Sequence, residues 1–159
     1  MMISVKSTTT DKNLGAKRIK REVKKLDKIY ITVGIHEKAG DYPSGESVVN
    51  VAFWMEYGTS RVPERSFIRS AINEKIDIIT KHRNKYLDDI LTGKKTAKKA
   101  AEAWGLVISN IVRAKIKRGE FTPNDPVYAS WKRRQVGHAK PLQLTGLLMR
   151  SINFEVHTK

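Results

Sequence analysis

Two stretches near opposite ends of the chain alternate apolar and polar residues with a period of two, so a sheet in this protein has to bring the two ends together. The first is Ile29-Tyr30-Ile31-Thr32-Val33-Gly34-Ile35, rich in β-branched residues and read as a strand. In the second, Ile152, Phe154 and Val156 alternate with Asn153, Glu155 and His157. As the last element it is expected to pair within the same sheet as the first. Between them the apolar residues recur at helical spacing. The expected fold is α+β: a single domain with a small, mostly antiparallel sheet packed against two long amphipathic helices, plus a basic N-terminal helix.

The first long helix is expected over residues 66–91, where Ile68, Ile72, Ile76, Ile79, Tyr86, Leu87 and Ile90 form a stripe closed by Gly93. The second spans 96–118, with Ala97, Ala100, Ala101, Trp104, Val107, Ile108, Ile111, Val112 and Ile116 on one face and Gly119 beyond. Gly105 costs this helix up to ~1 kcal/mol relative to Ala and is read as permitting a close helix crossing beside Trp104. Residues 12–27 form a short helix with Leu14, Ile19, Val23 and Leu26 near one face and Lys or Arg on the rest. Residues 47–57 fit a helix capped by Ser47 and ended by Gly58. Residues 36–46 form a loop, and 119–141 a loop with at most one short helix. The polar, Thr-rich residues 1–11 are expected to be disordered, leaving 12–159 as one domain, a length that can bury about two-thirds of its unfolded surface.

The chemistry of an enzyme is not indicated. There is no cysteine, which removes thiolate nucleophiles, disulfides and Cys-type metal sites. His36, His82, His138 and His157 lie far apart without metal-ligand spacing. Gly93-Lys94-Lys95-Thr96 fails as a phosphate loop, because Asp88 stands at the leading glycine and the fragment joins two helices. Asp88 and Asp89 are helix neighbours that point in different directions. No catalytic, metal or cofactor-binding residue is therefore expected. No apolar stretch approaches the ~20 residues of a membrane span, and the N-terminus lacks a signal-peptide pattern, so a soluble, unprocessed chain without membrane contact is expected.

What stands out is charge. The 159 residues carry 31 Lys and Arg against 16 Asp and Glu, a formal +15. Residues 1–28 hold nine basic and three acidic side chains, and residues 81–118 hold eleven and three, whereas 29–80 are slightly acidic. Such an excess fits a polyanionic partner, either nucleic acid or an acidic protein surface. Lys94, Lys95, Lys98 and Lys99 are candidate contacts, as are Lys132, Arg133 and Arg134 beside Trp131. That last cluster is either a stacking platform with cations or a buried Trp with solvated neighbours. Glu56 ends an apolar run, and it is either an exposed helix-end carboxylate or half of a partly buried ion pair with Arg65 or Arg69 that fixes the turn.

Two segments are more specific. Ala52-Phe53-Trp54-Met55-Glu56-Tyr57-Gly58-Thr59 is followed by Pro63-Glu64-Arg65-Ser66-Phe67-Ile68-Arg69-Ser70-Ala71, and late in the chain stands Pro141-Leu142-Gln143-Leu144-Thr145-Gly146-Leu147-Leu148-Met149-Arg150-Ser151-Ile152. Together, in this order, they resemble the virion morphogenesis or minor tail component proteins of tailed bacteriophages and prophages, a family that includes neck and tail-completion proteins. The resemblance spans roughly residues 28–156. It departs at Ser66, where the family usually has Pro, and at Leu144, where Asp is frequent. Gly58 and Gly146 fit tight turns, Pro63 fixes the approach to a helix, Phe67 and Ile68 anchor that helix, and Leu142, Leu147, Leu148 and Ile152 seat the last strand. Arg65 and Arg69 fit either internal contacts or contacts to a neighbouring subunit.

The resemblance implies a non-enzymatic protein of the virion neck or tail, assembled in the host cytoplasm. It would form a homo-oligomeric ring at the head-tail junction, between head-closure or portal-side proteins and tail-tube or terminator proteins. Ring contacts are expected from the loop His36 to Glu46 and the segment Phe121 to Lys140, both poorly ordered before assembly. A tail terminator, or a sequence-nonspecific basic DNA-binding protein, is the alternative.

Overall fold

The two alternating stretches do meet. In a computed structural model, which describes residues 14–159, β1 (Ile29–Ile35) pairs antiparallel with β2 (Ile152–Thr158) to form a two-stranded sheet. The register sets Ile31 opposite Val156, Val33 opposite Phe154 and Ile35 opposite Ile152. One face is thereby apolar in both strands. The other carries Tyr30 stacked on His157 at 4.7 Å, and the Thr32 hydroxyl lies 3.0 Å from an imidazole nitrogen of both His36 and His157.

Helices surround this ribbon: α1 (Leu14–Leu26), α2 (Val48–Tyr57), α3 (Arg69–Glu74), α4 (Ile76–Leu91), α5 (Ala97–Arg118), α6 (Pro126–Val136) and α7 (Leu147–Ser151). The central one is α5, which packs on both strands and on α1, α3, α4 and α7. Its ends are those the sequence marks. Thr96 accepts from the Lys99 N–H at the start, and Gly119 closes the end in a left-handed conformation. Ser47 caps α2 by accepting from the Val49 N–H at 3.2 Å. One core cluster joins Val48 and Ala52 of α2, Phe67, Ala71 of α3, Val112 and Ile116 of α5, Leu148 of α7 and Ile152 of β2.

Three expectations are corrected, and the one short helix allowed after α5 is present. The helix expected over 66–91 is two helices, broken at Lys75 (φ −122°, ψ 20°). The break leaves Ile76 half exposed and Ile79 buried, and it aims Glu74 at Lys115 and Arg118 on α5. Gly105 does not serve a helix crossing; it lies under Phe154 of β2. The loop after α5 contains an 11-residue helix, α6, with Asp125 accepting from the Val127 and Tyr128 N–H groups and Pro126 in the first turn. The five-residue helix α7 precedes the last strand where no separate element was expected. The disordered start expected over 1–11, and the first two positions of the helix expected from residue 12, lie outside the described residues. Residues 36–46 contain a 3₁₀ turn at Glu37–Ala39 and are tied by N–H bonds from Tyr42 to the Glu46 carbonyl and from Val48 to the Gly40 carbonyl.

Candidate functional site

The first motif is organised by one carboxylate. Glu56 sits on the face of α2 that also carries Val48 and Ala52, spaced four residues apart, and is buried with them. Its Oε2 accepts from the Phe67 and Ile68 N–H groups at 2.7 and 2.9 Å. Its Oε1 accepts from the Arg69 N–H at 2.9 Å, the Ser66 hydroxyl at 2.8 Å and Arg69 Nε at 3.1 Å. The helix α3 has no side-chain cap of its own, so Glu56 satisfies the N–H groups that a helix start leaves open. Of the two readings left open by the sequence, the buried pair that fixes the turn is the one observed, with Arg69 as its partner.

Arg69 also donates to the Glu56 carbonyl and to Glu64, and its guanidinium lies 4.5 Å from the Tyr57 ring centroid. Arg65 is buried, and donates to the Thr122 and Pro123 carbonyls at 2.8 and 3.0 Å. The two motif arginines thus make internal contacts. Gly58 has φ 74°, and a Cβ there would lie 3.0 Å from the Glu64 nitrogen, so both conformation and space require glycine. Pro63 is exposed on the link that follows.

In the second motif Leu148 and Ile152 are core residues beside Phe67 and Ala71, so segments some eighty positions apart in the sequence share one core. Pro141 is buried, Leu142 adopts φ 61°, and Thr145 accepts from the Leu147 N–H at 3.2 Å across the left-handed Gly146 that precedes α7. Ser151 ends α7 and is half-buried.

Burial pushes the Glu56 carboxyl up, but the bonds from the Ile68 and Arg69 N–H groups, the Ser66 hydroxyl and the Phe67 N–H outweigh it and hold the group below the ordinary carboxylate value. A carboxyl depressed in the fold contributes stability that is fully present above its unfolded value of ~4.3 and is lost as pH falls through its folded value. Acid titration of the unfolding free energy is expected to show this loss below ~pH 4.3, and Glu56→Gln to remove its share of the slope. An unchanged acid slope in that variant would contradict the role of Glu56.

The candidate polyanion contacts separate into groups. Lys94, Lys98 and Lys99 are exposed, whereas Lys95 closes the turn after α4 through Asp89 at 2.8 Å. Arg133 and Arg134 are exposed on α6. Lys132 is not available: it is 2% exposed and its Nζ donates to the Lys140 carbonyl at 2.6 Å. The reading of a buried Trp131 with solvated neighbours thus fails at Lys132 and at Trp131, which is 39% exposed and packs on Tyr128, and holds for Arg133 and Arg134.

Sequence reasoning did not identify Glu22, which is buried and accepts from the Ala97 N–H at 2.9 Å and from Lys25 Nζ at 2.9 Å. An S/T-x-x-E pattern marks local caps; nothing comparable marks a cap supplied from 75 positions away. Nor did it identify Gln143, whose amide donates to the Ile116 carbonyl at the end of α5 at 2.6 Å.

Two apolar surfaces remain. On α2, Phe53 is 60% exposed and packs on Tyr57, with Trp54 alongside; on α6, Val127 is 80% exposed beside Tyr128 and Trp131. Between α2, α6 and residues 141–148 runs an open groove of about 530 Å³. Tyr42 and Glu46 lie on one rim and Asn124 and Tyr128 on another, so both segments expected at ring contacts border it. Among the described residues no group of three or more acidic or His side chains could hold a metal, and no helix is long and apolar enough to cross a membrane. In comparison with known proteins, no family model matches this chain, and no curated protein or solved structure matches it.

Proposed function

We propose that this chain is a structural, non-enzymatic virion protein of a tailed phage or prophage, of the neck or tail-completion type. It forms a homo-oligomeric ring at the head-tail junction, assembled in the host cytoplasm and retained in the virion, with portal-side and tail-tube proteins as neighbours. The observation that carries this reading is the pair of unlike exposed apolar faces, Phe53 with Tyr57 on α2 and Val127 with Trp131 on α6. Isologous dimers need one self-complementary patch, whereas a heterologous contact needs two different ones and closes into a ring when its rotation allows. The order and spacing of the two motifs supply the virion context. Their residues hold the turn before α3 and the last strand.

The test uses complementary variants. Phe53→Glu disables one face and Val127→Glu the other. Each alone is expected to be monomeric by light scattering, while a mixture of the two stops at a dimer, because one intact face of each kind remains. Wild-type-like oligomers in both variants would sink the assignment of these faces. A dimer that persists in each separate variant would favour an isologous contact elsewhere.

A further inference from the structure

The fold brings together two basic segments that are far apart in sequence. Helix α1 lies across the turn between α4 and α5: Arg18 donates to the Gly93 carbonyl, and the Glu22 carboxylate accepts the Ala97 N–H. Ile19 and Leu26 are half-buried against the body, with Leu26 bordering a small cleft formed with Ile90 and Trp104. Ile19 and Leu26 thus face the body, whereas Val23 is 39% exposed. The outer side of α1 presents Lys17, Lys20, Arg21 and Lys24, and Lys28 follows in the turn beyond it, all exposed; a shallow depression of about 420 Å³ is bordered by these residues and Lys25 alone. Lys94, Lys98 and Lys99 are brought to the same end of the molecule by the turn on which α1 rests.

Most of this charge is unneutralised. Glu22, the one carboxylate within α1, is buried and engaged with Ala97 and Lys25, with Arg21 at 3.8 Å. Among the described residues Lys17, Lys20, Lys24, Lys28, Lys94, Lys98 and Lys99 have no carboxylate within ion-pair distance. Lys17, Lys20 and Lys24 of α1 recur every three or four positions, so they form a row with steps of about 5–6 Å over about 10 Å, extended by Lys28 in the turn after the helix.

We propose that this row is a binding surface for the phosphate backbone of duplex nucleic acid, read without regard to sequence. A duplex presents about one phosphate per 1.7 Å of axis, a density that a rigid helical row of cations can meet at several points at once. The row contains no aromatic side chain on which unpaired bases would stack. Among the described residues Val23 is the one large apolar side chain of α1 that is exposed, far less than the broad apolar face with which interfacial helices enter a lipid surface. The inference rests on this surface alone and does not depend on ring formation.

The experiment measures binding of fluorescent duplexes of two unrelated sequences at several salt concentrations. The expected result is equal affinity for both and a slope of log K against log salt of about −4 to −5, for about five phosphates engaged. The variant Lys17→Gln/Lys20→Gln/Lys24→Gln/Lys28→Gln keeps good helix formers and is expected to melt like the parent. Its slope should fall by about 3 to 4, with at least ~100-fold loss of affinity near 0.1 M salt. The control Lys38→Gln/Arg61→Gln/Arg133→Gln/Arg134→Gln removes the same charge from other elements and should leave the slope nearly intact. Equal losses in the two variants would overturn the proposal in favour of net charge alone. Tighter binding to single strands, or binding to anionic vesicles at a salt concentration where duplex no longer binds, would also overturn it.

Discussion

Replacing Glu56 by Ala is expected to lower the unfolding free energy by about 3–4 kcal/mol, because it strips the acceptor from several donors at once. The N–H groups of Phe67, Ile68 and Arg69 and the Ser66 hydroxyl all end on this carboxylate. An unsatisfied buried donor costs ~1–3 kcal/mol, but the Ile68 and Arg69 ends are only partly enclosed and water recovers some of that. The ion pair adds less than a fully buried one, since Arg69 is about half exposed. Against a typical domain stability of ~5–15 kcal/mol the loss is large. Glu56→Gln keeps the volume and one oxygen but turns an NH₂ toward donors, so an intermediate loss of about 2 kcal/mol is expected. Glu64→Ala removes the exposed partner of the same Arg69 and should cost under ~1 kcal/mol. Urea unfolding of the three variants with a common m-value checks the ranking; a Glu56→Ala loss no greater than that of Glu64→Ala would contradict the account of the α3 cap.

Gly105→Ala is expected to destabilise the protein by about 1–2 kcal/mol even though Ala is the better helix former by ~1 kcal/mol. A Cβ at position 105 would lie 2.6 Å from Phe154 Cδ2, 2.7 Å from Cγ and 3.1 Å from Cβ. These are atoms close to the strand backbone, so rotating the ring does not clear them. Relief requires β2 to move off α5, which strains the bond from Arg113 to the Ile152 carbonyl and the core around Ile152. The diagnostic is the double variant: in a Phe154→Ala background, Gly105→Ala should turn stabilising by up to ~1 kcal/mol. If the alanine costs the same in both backgrounds, the close approach of α5 to β2 is not what glycine serves.

The two strands were legible from their alternation, which excludes a one-residue slip because that would flip every side chain to the other face; the pairing of Val33 with Phe154 was not legible, since a two-residue slip keeps the same apolar face. The long helix α5 was legible from its stripe and from Gly119 at its end, while the cap supplied by Thr96 is a finding of the structure. The break at Lys75 was not, since neither Gly nor Pro stands there; it follows from Glu74 reaching Lys115 and Arg118 on a helix forty residues on. Helix α7 is too short for a period to show. For the motifs, sequence placed the right residues together but left Glu56 undecided, because its environment depends on whether residues 66–69 fold back over α2. Lys132 was misplaced for a related reason. Its ammonium is satisfied by the Lys140 carbonyl only after the chain turns at Gly137, and a basic cluster looks uniformly solvated until that turn is drawn.

The two charged segments show the same division between pattern and placement. Composition located them, and helical spacing gave each a polar face. Their meeting at one end depends on Arg18 and Glu22 of α1 contacting the turn at Gly93 and the first residue of α5. No local signal announces that contact.

Electron microscopy of the purified protein at high concentration tests the proposed ring. Closed particles of uniform diameter with rotational symmetry in class averages are expected, lost together in Phe53→Glu and Val127→Glu. A chain that stays monomeric at the highest attainable concentration, both alone and mixed with portal-capped heads, would contradict it.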